Sequence, residues 1–367
     1  MKLRRLTGLL LSLVLLFCTG CSQSAAPRSA PSPTAEEQAL SSPPETSAEA
    51  PSNQQAEETV SAEKNAPAPA QEVSFTLCAY LPVSSMTQGA AAVAEEYAGS
   101  IAALDYLVLN TGAYWDENGA LSLSDELLDA IETLQGKTAL WCTVNPQGAL
   151  IREGTAGQSI DSPQERQALA QEIAAFAEQY GLAGIDIDWE FPLDDEWEDF
   201  STFLIALKDT LSRNSEPVAL SLALYPEEIS LSEEAIAALD RIHVMAYDQF
   251  DSEGFHSTMQ AAEDAVAYFT ALGASPQQLV LGIPAYGRPL DGSAQWVFYK
   301  DIDPESISGE NPDLVGDISF NSAATAAQKT QYALEQNLGG VMVYQLLCDR
   351  NDQDALILAC ANMAENA

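Results

Sequence analysis

Gly184-Ile185-Asp186-Ile187-Asp188-Trp189-Glu190 sets a carboxylate at every second position and a bulky apolar residue between each pair. An extended strand turns successive side chains to opposite faces, so the three acids share one face and Ile185, Ile187 and Trp189 the other. A solvated acidic edge has no need of large apolar residues between its charges. The apolar set demands a buried layer behind the strand, and the acids must then line an interior. Three carboxylates in one row repel one another unless at least one holds a proton, which raises a pKa toward the working pH. Such crowding is what a general acid requires.

Outward from this segment, short runs rich in β-branched and apolar residues alternate with longer stretches of helical period. That is the pattern of repeated strand-helix units around a parallel sheet. Eight strands are expected, at 74–80, 106–109, 138–144, 184–188, 218–224, 243–246, 279–283 and 340–344. Helices are expected between them, including 162–180, opened by Ser162-Pro163 and stopped by Gly181, and 196–212. Eight repeats over 73–367 fit a closed α/β architecture, the (β/α)8 or TIM barrel, better than an open doubly wound sheet. No dinucleotide glycine fingerprint or phosphate loop argues otherwise. In such a barrel the chemistry belongs at the carboxyl ends of the strands. The longest connection, 288–338, brings Trp296, Phe298 and Tyr299, expected as one wall of a cleft.

The N-terminus reads differently. Lys2, Arg4 and Arg5 precede an apolar run over 6–17, which is short for a bilayer span and reads as a bacterial export signal. Cys18-Thr19-Gly20-Cys21 places small residues before Cys21, so residues 1–21 read as a lipoprotein signal whose cleavage leaves Cys21 to be acylated. Cys18 stands where such signals usually carry Leu. Residues 22–72 are dominated by Ser, Ala, Pro, Glu and Gln and bury too little surface to offset ordering entropy, the composition of a disordered tether. The expectation is a monomer on the extracellular face of the bacterial cell membrane, lipid-anchored or secreted.

A formal net charge of −39 makes nucleic acid a poor partner, while a neutral polysaccharide meets no such penalty. Solubility of an exported chain accounts for most of that acidity. Cys78, Cys142, Cys348 and Cys360 show no close pairing and no metal-type spacing. Cys78 and Cys348 fall by the first and last strands, which adjoin in a closed barrel. One bridge is open to them, and buried thiols are the commoner outcome. His243 and His256 are the only histidines, in neither metal nor triad spacing; His243 reads as a satisfied core residue, His256 as a loop residue near the cleft.

With Phe191-Pro192 appended, the acidic segment resembles glycoside hydrolase family 18, the chitinase family, whose fourth strand carries Asp-x-x-Asp-x-Asp-x-Glu, an aromatic and Pro. Asp186, Asp188 and Glu190 match the inner acids, and Ala183 replaces the outermost Asp. That replacement bears on support of the acid row more than on proton transfer. Met245-Ala246-Tyr247-Asp248 is similar to the family's Met-x-Tyr-Asp, and Gly282-Ile283-Pro284-Ala285-Tyr286-Gly287-Arg288 to its seventh-strand segment. Gly339-Gly340-Val341-Met342-Val343-Tyr344 resembles a run that normally ends in Trp, so Tyr344 makes a smaller stacking platform. Trp141-Cys142-Thr143-Val144-Asn145 lacks the family's Ser-x-Gly-Gly, which leaves the backbone there open.

The resemblance implies retaining hydrolysis of β-1,4-linked N-acetylglucosamine polymers, in which the substrate's own acetamide is the nucleophile. It makes Glu190 the proton donor. Asp188 pairs first with Asp186 and then with the acetamide N–H, Tyr247 donates its hydroxyl to the acetamide, and Asp248 holds the distorted sugar. Met245, Tyr80, Tyr286, Arg288 and Tyr344 are the remaining expected substrate-binding residues, with Trp115 and Trp296 as candidates for further subsites. No metal or organic cofactor is implied; the partner is an oligosaccharide or polysaccharide containing N-acetylglucosamine. Endo-β-N-acetylglucosaminidase action on N-glycans or peptidoglycan, and a non-catalytic carbohydrate-binding lipoprotein, are the alternatives; the retained Glu190 weighs against the last. The connection before the eighth strand is short for an added α+β insertion, so an open cleft is expected.

Overall fold

Leu, Val and Ile, with aromatic residues at intervals, build eight parallel strands: β1 (Thr76–Pro82), β2 (Tyr106–Trp115), β3 (Ala139–Pro146), β4 (Gly184–Ile187), β5 (Ala219–Leu224), β6 (Arg241–Val244), β7 (Leu279–Pro284) and β8 (Gly340–Tyr344). The computed structural model describes residues 74–190, 192–307 and 311–367. The signal, the tether and Cys21 fall outside the described residues, as does Phe191. Strand β1 pairs with both β2, Cys78 against Tyr106, and β8, Thr76 against Gly340, so the sheet closes on itself. Every expected strand is present in the expected order. The largest boundary difference is in β2, which continues past an irregularity between Leu109 and Ala113 and turns back on the short strand Leu121–Leu123.

Alternation along the strands sorts the core into two layers. Outward-facing Leu109, Cys142, Ile185, Ile187, Leu222 and Ile283 pack against the helices. Inward-facing Tyr80, Tyr106, Val108, Trp141, Val280 and Met342 fill the barrel. The helix Pro163–Tyr180 starts at a capping box, Ser162 with Glu165, carries Pro at its first position and ends at Gly181 in the left-handed region, φ 62°. The next helix, Trp197–Leu211, lays Phe200 against Trp189 at 5.0 Å and Phe203 against Trp115 at 6.1 Å. Trp115, expected as a subsite candidate, lies in this outer layer: it is fully buried, edge-on to Trp189, and its Nε1 donates to Ser159 Oγ at 2.9 Å.

The connection from β7 to β8 folds into a small antiparallel sheet of Val297–Phe298, Tyr286–Pro289, Ile318–Ser319 and Leu314–Val315. Among its described residues no α-helix appears before Ala323–Glu335. Trp296 stands on the cleft side of this sheet. Tyr299, expected beside it, is instead buried against Phe320 and Arg350, and so belongs to the core. Cys78, Cys142, Cys348 and Cys360 are buried free thiols.

Space inside the barrel is tight where β3 and β4 meet. A Cβ added at Gly184 would stand 2.1 Å from the Trp141 ring, which is itself stacked on Tyr106 at 4.3 Å. Gly184→Ala is therefore expected to cost about 1–3 kcal/mol through overpacking. The loss should show as a lower urea midpoint at unchanged m. A wild-type midpoint would mean that the ring has room to move.

Candidate active site

Strand β4 delivers Asp186 to the middle of the barrel, where it is wholly buried. Its neighbours in register, Thr143 on β3 and Ser221 on β5, sit at the same height. Thr143 Oγ1 donates to Asp186 Oδ2 at 3.0 Å, Ser221 Oγ to Oδ1 at 2.5 Å, and Tyr80 Oη to Oδ2 at 2.9 Å. His243 Nδ1 lies 3.3 Å from Oδ1.

One step outward, Asp188 is fixed through its backbone N–H, which donates to Asn145 Oδ1 at 2.8 Å. Burial pushes its carboxyl well above the usual range, and the charges of Glu190 and Asp186 push it further. Its Oδ1 is buried with no donor on it. Glu190 follows at the barrel mouth. Its carboxyl is raised by partial desolvation and then by the charge of Asp248, although its exposed position lets water screen much of that effect. A depression of about 70 Å³ opens beside it, walled in part by Ala223, Tyr225, Glu227 and Met245.

Across the mouth, the chain leaves β6 at Val244 and presents Tyr247 and Asp248. Tyr247 fits because position 282 on β7 is glycine: a Cβ there would come within 2.9 Å of Tyr247 Cε1 and 2.4 Å of the Val244 carbonyl oxygen. The Tyr247 ring stacks on Tyr344, with centroids 5.5 Å apart, and its hydroxyl is held protonated, first by burial and then by the charges of Asp188, Glu190 and Asp248 among others. Asp248 has φ +58°, a conformation non-glycine residues seldom adopt. Three contacts hold it there: its N–H donates to His256 Nε2 at 2.9 Å, Tyr286 Oη donates to Oδ2 at 2.8 Å, and Arg288 Nη1 donates to Oδ1.

The expected site residues thus divide into two groups. Asp186, Asp188, Glu190, Met245, Tyr247, Asp248 and Tyr344 converge on one mouth, with half-buried Trp296 edge-on to Tyr344 at 6.4 Å. Tyr80, Tyr286 and Arg288, expected to touch sugar, lie behind that group. Tyr80 is 2% exposed with its hydroxyl on Asp186 and His243, while Tyr286 and Arg288, 0% and 7% exposed, are committed to Asp248. Each of the three hydrogen-bonds an acid of the site. Ala183 is solvent-exposed at the entrance of β4, remote along the strand from the mouth. His256 is buried behind Asp248 rather than facing the cleft. Its loop is tied down by fully buried Lys329, whose Nζ donates to Ser257 O, Ser257 Oγ and Asn321 Oδ1 at 2.7–2.9 Å. Thr143, Asn145, Ser221 and His243 escaped the sequence reading of the site. Strand register carried the missing signal, since it sets Thr143 and Ser221 directly beside Asp186.

A model of the family described as glycosyl hydrolases family 18 matches residues 57–349. Probable chitinase 2 of Drosophila melanogaster is 27% identical over 181 residues, which cover 44% of this chain and 37% of the relative. Chitinase 1 of Aphanocladium album is 25% identical over 252 residues, 54% of this chain and 60% of the relative. The chain thus spans well under two thirds of the length of these curated relatives. Among solved structures, a chitinase from Bacteroides thetaiotaomicron aligns with a TM-score of 0.65 at 21% identity, covering 79% of this chain and 96% of its own. A family 18 chitinase from Cycas revoluta, solved in complex with (GlcNAc)3, aligns with a TM-score of 0.60 at 21% identity, covering 78% of this chain and 99% of its own. At these identities the structural likeness establishes the barrel fold.

Burial pushes the His256 imidazole down to about 3 from 6.5, with Lys329 and Arg288 contributing. The unfolded chain therefore takes up a proton, as pH falls from about 6.5 toward 3, that the folded chain refuses; the stability present above 6.5 is lost across that window. His256→Gln keeps an acceptor for the Asp248 N–H and removes the titration. We expect its urea midpoint to fall less than the wild type's between pH 7 and pH 4. Parallel falls would show that another group carries the acid sensitivity.

Proposed function

The chain belongs to glycosyl hydrolases family 18, and from that premise we propose that it hydrolyses β-1,4-linked N-acetylglucosamine polymers, chitin or chitooligosaccharides, with retention of configuration. The observation that carries this reading is the buried, unpartnered Oδ1 of Asp188 beside Glu190 and Tyr247. Burial disfavours ionisation of the Asp188 carboxyl, which makes it a poor nucleophile, while its free Oδ1 can accept from an amide N–H. An acetamido sugar supplies that N–H, and its carbonyl oxygen accepts from the Tyr247 hydroxyl.

In this reading Glu190 gives its proton to the glycosidic oxygen while the acetamide carbonyl oxygen attacks the anomeric carbon. The bond to the leaving sugar breaks, the departing oxygen keeps the proton, and an oxazolinium ion forms. Water then attacks the anomeric carbon, passes a proton to Glu190 and reopens the ring to the acetamide. Asp188 steadies the positive charge on the acetamide nitrogen. Asp248, oriented by Tyr286 and Arg288, holds the distorted ring, and Tyr344 with Trp296 forms the floor and side wall of the sugar site. The (GlcNAc)3 bound by the Cycas revoluta relative is a ligand of the same class.

Anchoring belongs to the same proposal: Cys21 is acylated and holds the hydrolase on the extracellular face of the cell membrane, with residues 22–72 as the spacer.

Glu190→Gln should leave binding of chitooligosaccharides nearly intact and lower their hydrolysis about 10²- to 10⁴-fold or more. Asp188→Asn should cripple turnover as well; wild-type rates in either variant would end the assignment. Incubation with chitooligosaccharides, a high-mannose glycopeptide and peptidoglycan, with products weighed by mass spectrometry, separates the substrates. Disaccharides released only from the first support the proposal. Products only from the others move the activity to N-glycans or peptidoglycan, and binding without products moves the protein to a lectin. In cells, Cys21→Ser should shift the protein from the membrane fraction to the medium; membrane retention would refute the lipid anchor.

A further inference from the structure

We propose that His243 is a positioning residue that decides which member of the acid row carries charge. The inference rests on the hydrolase reading above for its consequence, though not for its geometry. His243 lies on β6 with its ring enclosed in the barrel, edge-on to Tyr80 at 5.6 Å and stacked along Tyr106 at 5.9 Å. Its Nδ1 is 2.6 Å from Tyr80 Oη and its Nε2 2.9 Å from Tyr106 Oη.

The Tyr80 hydroxyl has one proton and two close partners, Asp186 Oδ2 at 2.9 Å and His243 Nδ1 at 2.6 Å. With a neutral imidazole, two arrangements leave no lone pair facing another. In the first, Nδ1–H donates to Tyr80, and Tyr80 donates to a charged Asp186; Nε2 then accepts from the Tyr106 hydroxyl. In the second, protonated Asp186 donates to Tyr80, Tyr80 donates to a bare Nδ1, and Nε2–H donates to Tyr106. The second holds one proton more than the first, and in the first that proton sits further out in the acid row. Thr143 and Ser221 decide between them, because both also donate to Asp186 and a carboxylate serves three hydroxyl donors best.

Every strand packed on His243 is consistent with that choice. It meets Tyr80 of β1, Tyr106 of β2, Trp141 of β3 and Asp186 of β4, and stands in register with Ala223 of β5 and Val280 of β7; Cys78 of β1 touches it through Tyr106. The Cys78 thiol and both tyrosine hydroxyls are raised by burial and stay neutral. Among these groups Asp186 is the one carboxyl, while Arg241 acts on Tyr106 and Cys78 from the entrance of β6. With the charge fixed on Asp186, the proton of the row resides one step outward, on Asp188, beside the place the acetamide occupies. Loss of the Nδ1 donor frees Tyr80 to accept from Asp186, and the proton moves inward, away from the reacting sugar.

The direct test needs no substrate. The chain has two histidines, so ¹⁵N spectra of histidine-labelled wild type, assigned with His256→Gln, identify the state of His243. A protonated Nδ1 is expected; a bare Nδ1 overturns the proposal. In kinetics, His243→Asn keeps a donor near the Nδ1 position and should retain the wild-type pH profile. His243→Phe keeps only a ring; its kcat should fall about 10²-fold with KM little changed, and its alkaline limb should move to higher pH, because a charged Asp188 makes Glu190 harder to ionise. Equal losses in both variants with an unshifted profile would reduce His243 to packing. Should His243→Phe fail to fold, Tyr80→Phe removes the middle of the same chain and should give the same shift; an unshifted limb counts against the relay. Wild type inactive on every N-acetylglucosamine substrate would sink the hydrolase reading while leaving the ¹⁵N result to stand or fall alone.

Discussion

Everything in this structure follows from one strand having to be buried on both faces while one face is acidic. Ile185, Ile187 and Trp189 need an apolar layer, and the helix carrying Phe200 and Phe203 supplies it. Asp186 on the other side cannot be placed against such a layer without several kcal/mol of desolvation. A closed barrel reconciles the two demands, because its inner face is reached by side chains from all eight strands and those chains can be polar. Hydroxyls at the same height on β3 and β5 then satisfy the innermost acid on β4, and the cost of its burial is offset within the sheet itself.

The same geometry grades the three acids. Asp186 sits among donors, Asp188 among little but other acids, and Glu190 where water reaches it. A single strand thus holds carboxyl groups in three environments at successive depths. Divergence of this kind lets neighbouring carboxyls take different roles at one pH. The decisive contrast is between the innermost acid, fixed by partners on four other strands, and the middle one, which keeps an acceptor atom without a donor.

Much of this was legible before any coordinates. The period-two alternation at 184–190 and the eight apolar runs determine the barrel, because strand burial leaves few other solutions. Asp188, Glu190, Tyr247 and Asp248 could be named because each stands at or just beyond a strand's carboxyl end, where barrel chemistry must lie. The reading went astray where side chains of the same type serve either layer. Tyr80, Tyr286 and Arg288 follow the same rule as Tyr247, yet their depth depends on partners that sequence spacing does not reveal. Trp115, a subsite candidate, and Tyr299, expected in a cleft wall, both belong to the core. Thr143, Asn145 and Ser221 were invisible for the complementary reason: each matters only beside a residue about 40 positions away, and a hydroxyl or amide alone carries no mark of its neighbour.

Asp248 illustrates how the scaffold holds a costly conformation at the mouth. A non-glycine residue with positive φ costs about 1–3 kcal/mol, and it persists only where its surroundings leave no cheaper choice. Here the backbone N–H is claimed by His256, and the two carboxylate oxygens by Tyr286 and Arg288, two residues apart on one strand. His256 can accept that N–H only while neutral at Nε2, a state its burial enforces. Its loop is pinned in turn by Ser257, which donates to the Ala246 carbonyl at 2.6 Å and receives Lys329. Each contact constrains the next, so Asp248 faces Glu190 across the mouth without any ligand. In the proposed reaction, preorganisation of that kind means binding energy need not be spent on turning Asp248 into place, and more of it is left for distorting the sugar.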